Sequence, residues 1–205
     1  MTIQSTSVDS QLDQADEFFM GTGPIHKTMR SLARRLSEEG IDYAVAGGMA
    51  LLLHGYRRET VDVDFLLTAD GRNALEDKLV GLGYMQRFPG ARNRFRDTAT
   101  NVEIDLIISG EYPGDGKPKP VAFPNPNQVY VEMDGIRVLT LEKLIELKLA
   151  SGMTAPHRLR DLADVQELIK LKQLDSEFGR QLDPYVQPKY LELWNAVADA
   201  GEHRQ

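Results

Sequence analysis

Val61-Asp62-Val63-Asp64-Phe65-Leu66-Leu67 is the stretch on which the reading of this chain turns. It alternates at its start and reads as a β-strand. Side chains alternate across a strand, so Asp62 and Asp64 point to one side of the sheet, about 7 Å apart along the chain. Two acids on one side of an otherwise apolar strand repel each other and are costly to bury. A divalent cation removes that penalty, and Mg²⁺ sits on one or two carboxylates while substrate phosphates complete its shell. Asp-x-Asp alone also fits metal-dependent glycosyltransferases and ordinary surface strands, so its neighbourhood has to decide.

Upstream, residues 41–46 read as a short buried strand running into Gly47-Gly48, followed by a helix from Met49 to His54 that Gly55 ends. Two glycines let the backbone come close to a ligand, and a helix starting there offers free N–H groups to phosphate oxygens. Thirteen residues separate Gly48 from Asp62. Downstream, residues 101–108 alternate and stop at Ser109-Gly110, which predicts a further strand. Glu103 and Asp105 share a parity there, so either can face the ions. Asp105 is the preferred ligand, because Ile104, Leu106 and Ile107 set it deeper in the strand and Glu103 falls near the exposed end.

Gly47-Gly48, the thirteen-residue gap, Asp62-Val63-Asp64-Phe65 and a later strand carboxylate together resemble the signature of the polymerase-β-type nucleotidyltransferase superfamily, over roughly residues 24–172. The run from Ala46 to Gly55, then Arg58, Thr60 and Asp62, resembles bacterial members. Leu141 to Ala150, followed by Arg158-Leu159-Arg160-Asp161-Leu162-Ala163-Asp164, resembles the AbiEii-like abortive-infection toxins and their bacterial relatives. The resemblance implies transfer of a nucleoside monophosphate from an NTP to a hydroxyl. It implies two Mg²⁺ ions (Mn²⁺ as a substitute) held by Asp62, Asp64 and Asp105, and a triphosphate cradled by Gly47, Gly48, Arg58 and Lys148. Carried over residue by residue, Lys148 and Asp161 join the active site. The acceptor it implies is a tRNA end, with an antitoxin protein as partner; small-molecule, antibiotic-type acceptors are the alternative, and a silent nucleotide-binding module the non-enzymatic one.

The residues speak to Lys148 independently. It shares a helical stripe with Leu141, Leu144 and Ile145, so it turns inward and needs an anionic partner. A triphosphate or a catalytic aspartate would serve, and so would a salt bridge to Asp161 or Asp164 that pins two helices. Arg58 is open in the same way, to phosphate or to Glu59 or another nearby acid.

The rest of the chain frames this constellation. Residues 1–23 read as a polar lead-in anchored by Phe18, Phe19 and Met20. Met29, Leu32, Ala33 and Leu36 recur at helical spacing from His26 to Glu39, with Gly40 at the stop. Asp70 to Gly83 predicts a helix on Leu75, Leu79, Val80 and Leu82. Tyr84–Phe88 and Arg92–Arg96 pair as strands around Pro89-Gly90. Residues 109–127 hold five of the ten prolines and three glycines and form a long loop, either a functional lid or a plain excursion. Asp134-Gly135 is a two-residue hairpin turn, and Thr140 caps the helix that carries Lys148. A second helix runs from about Pro156 to Lys172 on Leu159, Leu162, Leu168 and Ile169, and helices continue to about Ala200. The fold class is therefore α/β (α+β), a small mixed sheet flanked by helices. Residues 24–139 form the catalytic domain, and a helical region, 140–205, completes the cleft.

Composition sets the outer limits. Forty-one per cent hydrophobic and 27% charged residues predict a packed core. The absence of cysteine excludes disulfides and thiolate metal sites. A net charge of −7 speaks against a broad cationic surface for nucleic acid, unless Lys27, Arg30, Arg34, Arg35, Arg92, Arg94 and Arg96 share one face beside the carboxylates. Scatter of those side chains would favour a small acceptor. The four histidines lack metal-ligand spacing, His54 reading as a capping or packed residue, and no Walker-type loop is present. Without a signal-peptide pattern or a membrane-length apolar run, the expectation is a cytoplasmic protein with no membrane partner.

Overall fold

The computed structural model describes residues 17–18 and 20–202. Most of the proposed lead-in, Phe19 included, lies outside the described residues, as does His203. Of its other two anchors, Phe18 is buried against the His26 ring, whereas Met20 is exposed.

Strands β1 (Tyr43–Ala46) and β2 (Asp62–Leu67) pair antiparallel, and β5 (Glu103–Ile108) lies parallel to β2 on its other side. The hairpin β3 (Tyr84–Gln86) and β4 (Arg94–Asp97) extends the sheet beyond β5. A second hairpin, β6 (Tyr130–Met133) and β7 (Ile136–Leu139), extends it beyond β1, where β7 runs parallel to β1. The seven strands lie in the order β3-β4-β5-β2-β1-β7-β6. The turn of the second hairpin has positive φ at both Asp134 (50°) and Gly135 (75°), the backbone that matches strand twist in a two-residue loop.

Strand parity divides the sheet into two faces. Tyr43, Val45, Val63 and Phe65 share one of them and are almost fully buried. Helix α1 (Pro24–Glu38) covers that face with Met29, Leu32, Ala33 and Leu36. It is also tied there by polar contacts, Thr28 donating to Asp97 (3.0 Å) and Tyr84 to Ser31 (3.4 Å). Burying each such large apolar side chain contributes on the order of 2 kcal/mol. The opposite face carries Asp62, Asp64 and Asp105 and is roofed by later elements.

Helix α2 (Gly47–Leu53) follows β1 directly, and α3 (Ala69–Leu79) follows β2. α3 stops four residues short of the predicted Gly83. Val80 turns extended, and Gly81 and Gly83 take positive φ, so Leu82 projects into solvent instead of packing. The 109–127 loop folds back on itself through reciprocal backbone bonds between Gly110, Glu111 and Phe123, and buries Val121. Gly114 docks on α4 (Leu141–Thr154) so tightly that a Cβ there would lie 2.8 Å from the Ser151 carbonyl oxygen. Thr140 caps α4 by accepting from the Lys143 N–H.

After a 3-10 turn at Pro156–Arg158, α5 (Leu159–Lys172) packs on α4 through Leu162, Val165, Leu168 and Ile169. Leu159, predicted to pack, opens the first turn of α5 and is exposed. Helix α6 (Gln187–Glu202) closes the end of the bundle, Tyr190 and Trp194 donating to the carbonyls of Asp175 and Leu174. Among the described residues no helix is long and apolar enough to cross a membrane.

Candidate active site

Parallel register brings the acids together. β2 and β5 align Asp62 with Glu103 and Asp64 with Asp105, and β1 sets Ala46 opposite Asp64. The chain therefore leaves β1 beside the Asp64 carboxylate, and only a glycine fits there. A Cβ on Gly47 would lie 2.5 Å from Asp64 Cγ, and its φ of +56° belongs to the left-handed region. One residue on, a Cβ on Gly48 would meet the Thr60 side chain at 2.6 Å. Thr60, itself buried, donates from Oγ1 to Asp62 Oδ1 at 2.7 Å and orients that carboxylate.

A cleft of about 280 Å³ opens over these groups. Gly47, Gly48, Arg58, Asp62, Asp64, Asp105, Lys148 and Asp161 all line it. Glu103 does not line it: its carboxylate pairs with Arg87 (2.9 Å) and Arg96 (3.7 Å) at the strand's outer end, while Asp105 faces Asp64 and meets Arg94 at 3.7 Å.

The electrostatics follow from burial. Burial, and then the neighbouring Asp62 and Asp105 carboxylates, push the Asp64 carboxyl up to about 7, against the opposing pull of Lys148 and Arg158. Burial also raises Asp105, opposed by Arg94. Lys148 is turned inward and nearly buried, with Nζ donating to Asp161 Oδ1 and Asp164 Oδ2 at 2.8 Å each. Burial alone would raise the Asp161 carboxyl. The Lys148 ammonium, hydrogen bonds from Lys148 and Ser151, and the Arg158 charge outweigh it and hold Asp161 below the usual carboxylate range. Arg58 pairs with Asp164 at 3.0 Å and not with Glu59. His54 is buried, with Nε2 2.7 Å from the Leu139 carbonyl oxygen.

Some groups in the cleft or behind its wall were not singled out from the sequence. Ser151 donates to Asp161 at 2.7 Å, Arg158 donates to the same oxygen at 2.9 Å, and His157 and Arg160 join the rim. Ser151 lies three residues beyond Lys148 and Arg158 three before Asp161, the spacing at which helical neighbours meet. That spacing was the available signal.

Among the described residues no three acidic or histidine side chains stand close enough to enclose a metal ion as they are placed. Asp62 is turned to Thr60 and Asp105 to Arg94. The donor set nonetheless suits a hard divalent cation: three carboxylates share one sheet face, and burial, with repulsion from Asp62 and Asp105, pushes the Asp64 carboxyl up to about 7.

The basic side chains divide. Arg94 and Arg96 pair in register with Asp105 and Glu103 and so share the carboxylate face. Lys27, Arg34 and Arg35 gather around Tyr84, Asp97 and Thr100 on the α1 face, behind the sheet.

Among solved structures, the chain is similar to JHP933 from Helicobacter pylori, at 18% identity over 89% of this chain and 91% of that one, with a TM-score of 0.48. It is similar to ANT(2")-Ia in complex with adenylyl-2"-tobramycin, at 13% identity over 80% and 91%, TM-score 0.47. A third is an antigenic nucleotidyltransferase-like protein from Paracoccidioides brasiliensis, at 17% identity over 71% and 75%, TM-score 0.46. No curated protein matches the chain. The family described as "Nucleotidyl transferase AbiEii toxin, Type IV TA system" matches residues 30–189, well over half of the sequence. With that span covering the sheet, the cleft and the helices that roof it, the protein belongs to the AbiEii family and is a nucleotidyltransferase.

Proposed function

We propose that this enzyme transfers a nucleoside monophosphate from an NTP to an acceptor hydroxyl, with Mg²⁺ as its working ion. The observation that carries the reading is Asp64: a half-buried carboxylate between Asp62 and Asp105, its pKa pushed up to about 7, against a left-handed glycine whose Cβ would overlap it. Asp62, Asp64 and Asp105 would hold two Mg²⁺ ions, or Mn²⁺ in their place. When bound, the metal supplies charge neutralisation at the phosphates and a lowered pKa for the acceptor hydroxyl.

The chain's own residues supply the rest. Gly47 and Gly48 let the triphosphate approach the backbone, and Arg58 and Lys148 offset its charge. Asp105, raised by burial, accepts the proton of the acceptor hydroxyl. The hydroxyl oxygen attacks the α-phosphorus in line, a new P–O bond forms, and the bond to the bridging oxygen breaks as pyrophosphate departs. Asp161, held ionised by Lys148, Ser151 and Arg158, keeps Lys148 at the cleft wall.

The family description supports a toxin role relieved by an antitoxin, and the acceptor proposed with that role is a tRNA end. One observation favours a second reading, a small hydroxyl-bearing acceptor: Lys27, Arg34 and Arg35 lie on the sheet face opposite the acids, apart from Arg94 and Arg96. Pyrophosphate release tests the common core. It is expected from the wild type with Mg²⁺, NTP and either tRNA or a panel of small polyols and aminoglycosides, and is expected to vanish with EDTA or in Asp62→Asn. Release that survives both would contradict it.

A further inference from the structure

We infer that Asp164 is a positioning residue that sets Arg58 and Lys148 for the triphosphate, a role that rests on the nucleotidyl-transfer reading. Asp164 is not among the residues lining the cleft, and its side chain is 2% exposed. Its Oδ2 nevertheless accepts from Arg58 Nη1 at 3.0 Å and from Lys148 Nζ at 2.8 Å, and both of those cations line the cleft. Three separate parts of the chain meet at that one oxygen: the segment before β2, helix α4 and helix α5. Two cations bound to one atom are fixed relative to each other.

Helix pinning does not account for this arrangement. Asp161 already joins Lys148 of α4 to α5, with Ser151 and Arg158 on its other oxygen. The ion pair from Asp164 to Arg58 adds nothing to the α4–α5 contact, and reaches instead to the loop that leads into Asp62. Both cations also keep donors in reserve. Arg58 Nε is buried without a hydrogen-bond partner, and a buried N–H with no acceptor is rare enough to point to one that arrives with a ligand. An ammonium has three donors, of which Lys148 spends two on Asp161 and Asp164. The two unspent donors suit phosphate oxygens. Long side chains lose rotamer freedom on binding, and the shared carboxylate removes that freedom beforehand.

The test compares the wild type with Asp164→Asn, Arg58→Gln and the double variant, measuring Kd for each NTP with Mg²⁺ by calorimetry and kcat and KM by pyrophosphate release. Asp164→Asn is expected to raise both Kd and KM about ten-fold while kcat changes less than about three-fold. The double variant is expected to lose clearly less than the product of the two single losses, because Asp164 acts through Arg58. An unchanged Kd in Asp164→Asn, or losses that multiply, would overturn the role. Should Asp164→Asn fail to fold, Arg58→Gln at the more exposed end of the same pair carries the test, and unchanged NTP affinity in it overturns the role equally. A wild type that binds none of the four NTPs contradicts the transfer reading itself, whereas binding that is indifferent to Asp164→Asn contradicts only this assignment.

Discussion

Gly47 lies against the Asp64 carboxylate so closely that a methyl group on Gly47 would overlap it. The contact couples the end of β1 to the middle of β2, and the left-handed φ of Gly47 adds a backbone penalty of about 1–2 kcal/mol for any other residue. Gly47→Ala is therefore expected to displace Asp64 and lower nucleotidyl transfer by about a hundred-fold or more. Circular dichroism and initial rates check it: the fold should persist while the rate falls. Near wild-type rates would mean that Asp64 tolerates displacement.

The raised carboxyl of Asp64 links pH to stability. Its folded value of about 7 exceeds the ordinary 3.8 of an unfolded chain, so between those values the folded protein holds the extra proton. Stability contributed by this group is accordingly lost as pH rises from about 4 to about 7. Asp64→Asn, which cannot ionise, should melt higher than the wild type at pH 8 and alike near pH 4. Mg²⁺ should raise the melting temperature of the wild type at pH 8 and leave Asp64→Asn unmoved. Thermal melts across that pH range, with and without the ion, decide both points.

Lys148 lines the cleft and donates to Asp161 and Asp164, both buried. Lys148→Met keeps much of the apolar stem but strands part of two buried carboxylates. Because Arg158 still reaches Asp161 and Arg58 still reaches Asp164, the cost should fall at the lower end for a broken buried pair, about 3 kcal/mol. Urea melts at pH 7.5 measure it. A variant as stable as the wild type would show that the network carries no strength.

The acceptor's size is readable from the two basic groups. Charge reversal at Lys27, Arg34 and Arg35, behind the sheet, is expected to leave kcat/KM for the acceptor within about three-fold. Arg94→Glu, beside Asp105, should lower it much more. If reversal on the α1 face abolished transfer to tRNA, a nucleic acid wrapping both faces would be required and the small-acceptor reading would fail.

The sheet and the acids were readable because their signals are local. Parity alone put Asp62 and Asp64 on one face, Asp134-Gly135 announced its hairpin, and Thr140 announced its helix. The choice of Asp105 over Glu103 followed strand depth, and the Arg87 and Arg96 pairs on Glu103 explain why the outer acid is engaged elsewhere. Long-range facts were not readable. No spacing shows that β5 aligns Asp105 with Asp64, that Gly114 carries its loop onto α4, or that one oxygen of Asp164 joins Arg58 to Lys148. Leu82 misleads because its periodicity continues past the point where a glycine turn ends the packing.

The most direct test of nucleotidyl transfer through the three aspartates places the label on the NTP. Wild type and Asp64→Asn are incubated with Mg²⁺, tRNA or small hydroxyl acceptors, and NTPs labelled at either the α- or the γ-phosphate. Label from the α-position should enter an acceptor with the wild type, label from the γ-position should leave as pyrophosphate, and Asp64→Asn should transfer neither. Acceptors labelled from the γ-position, or α-label transferred by Asp64→Asn at the wild-type rate, would contradict the account.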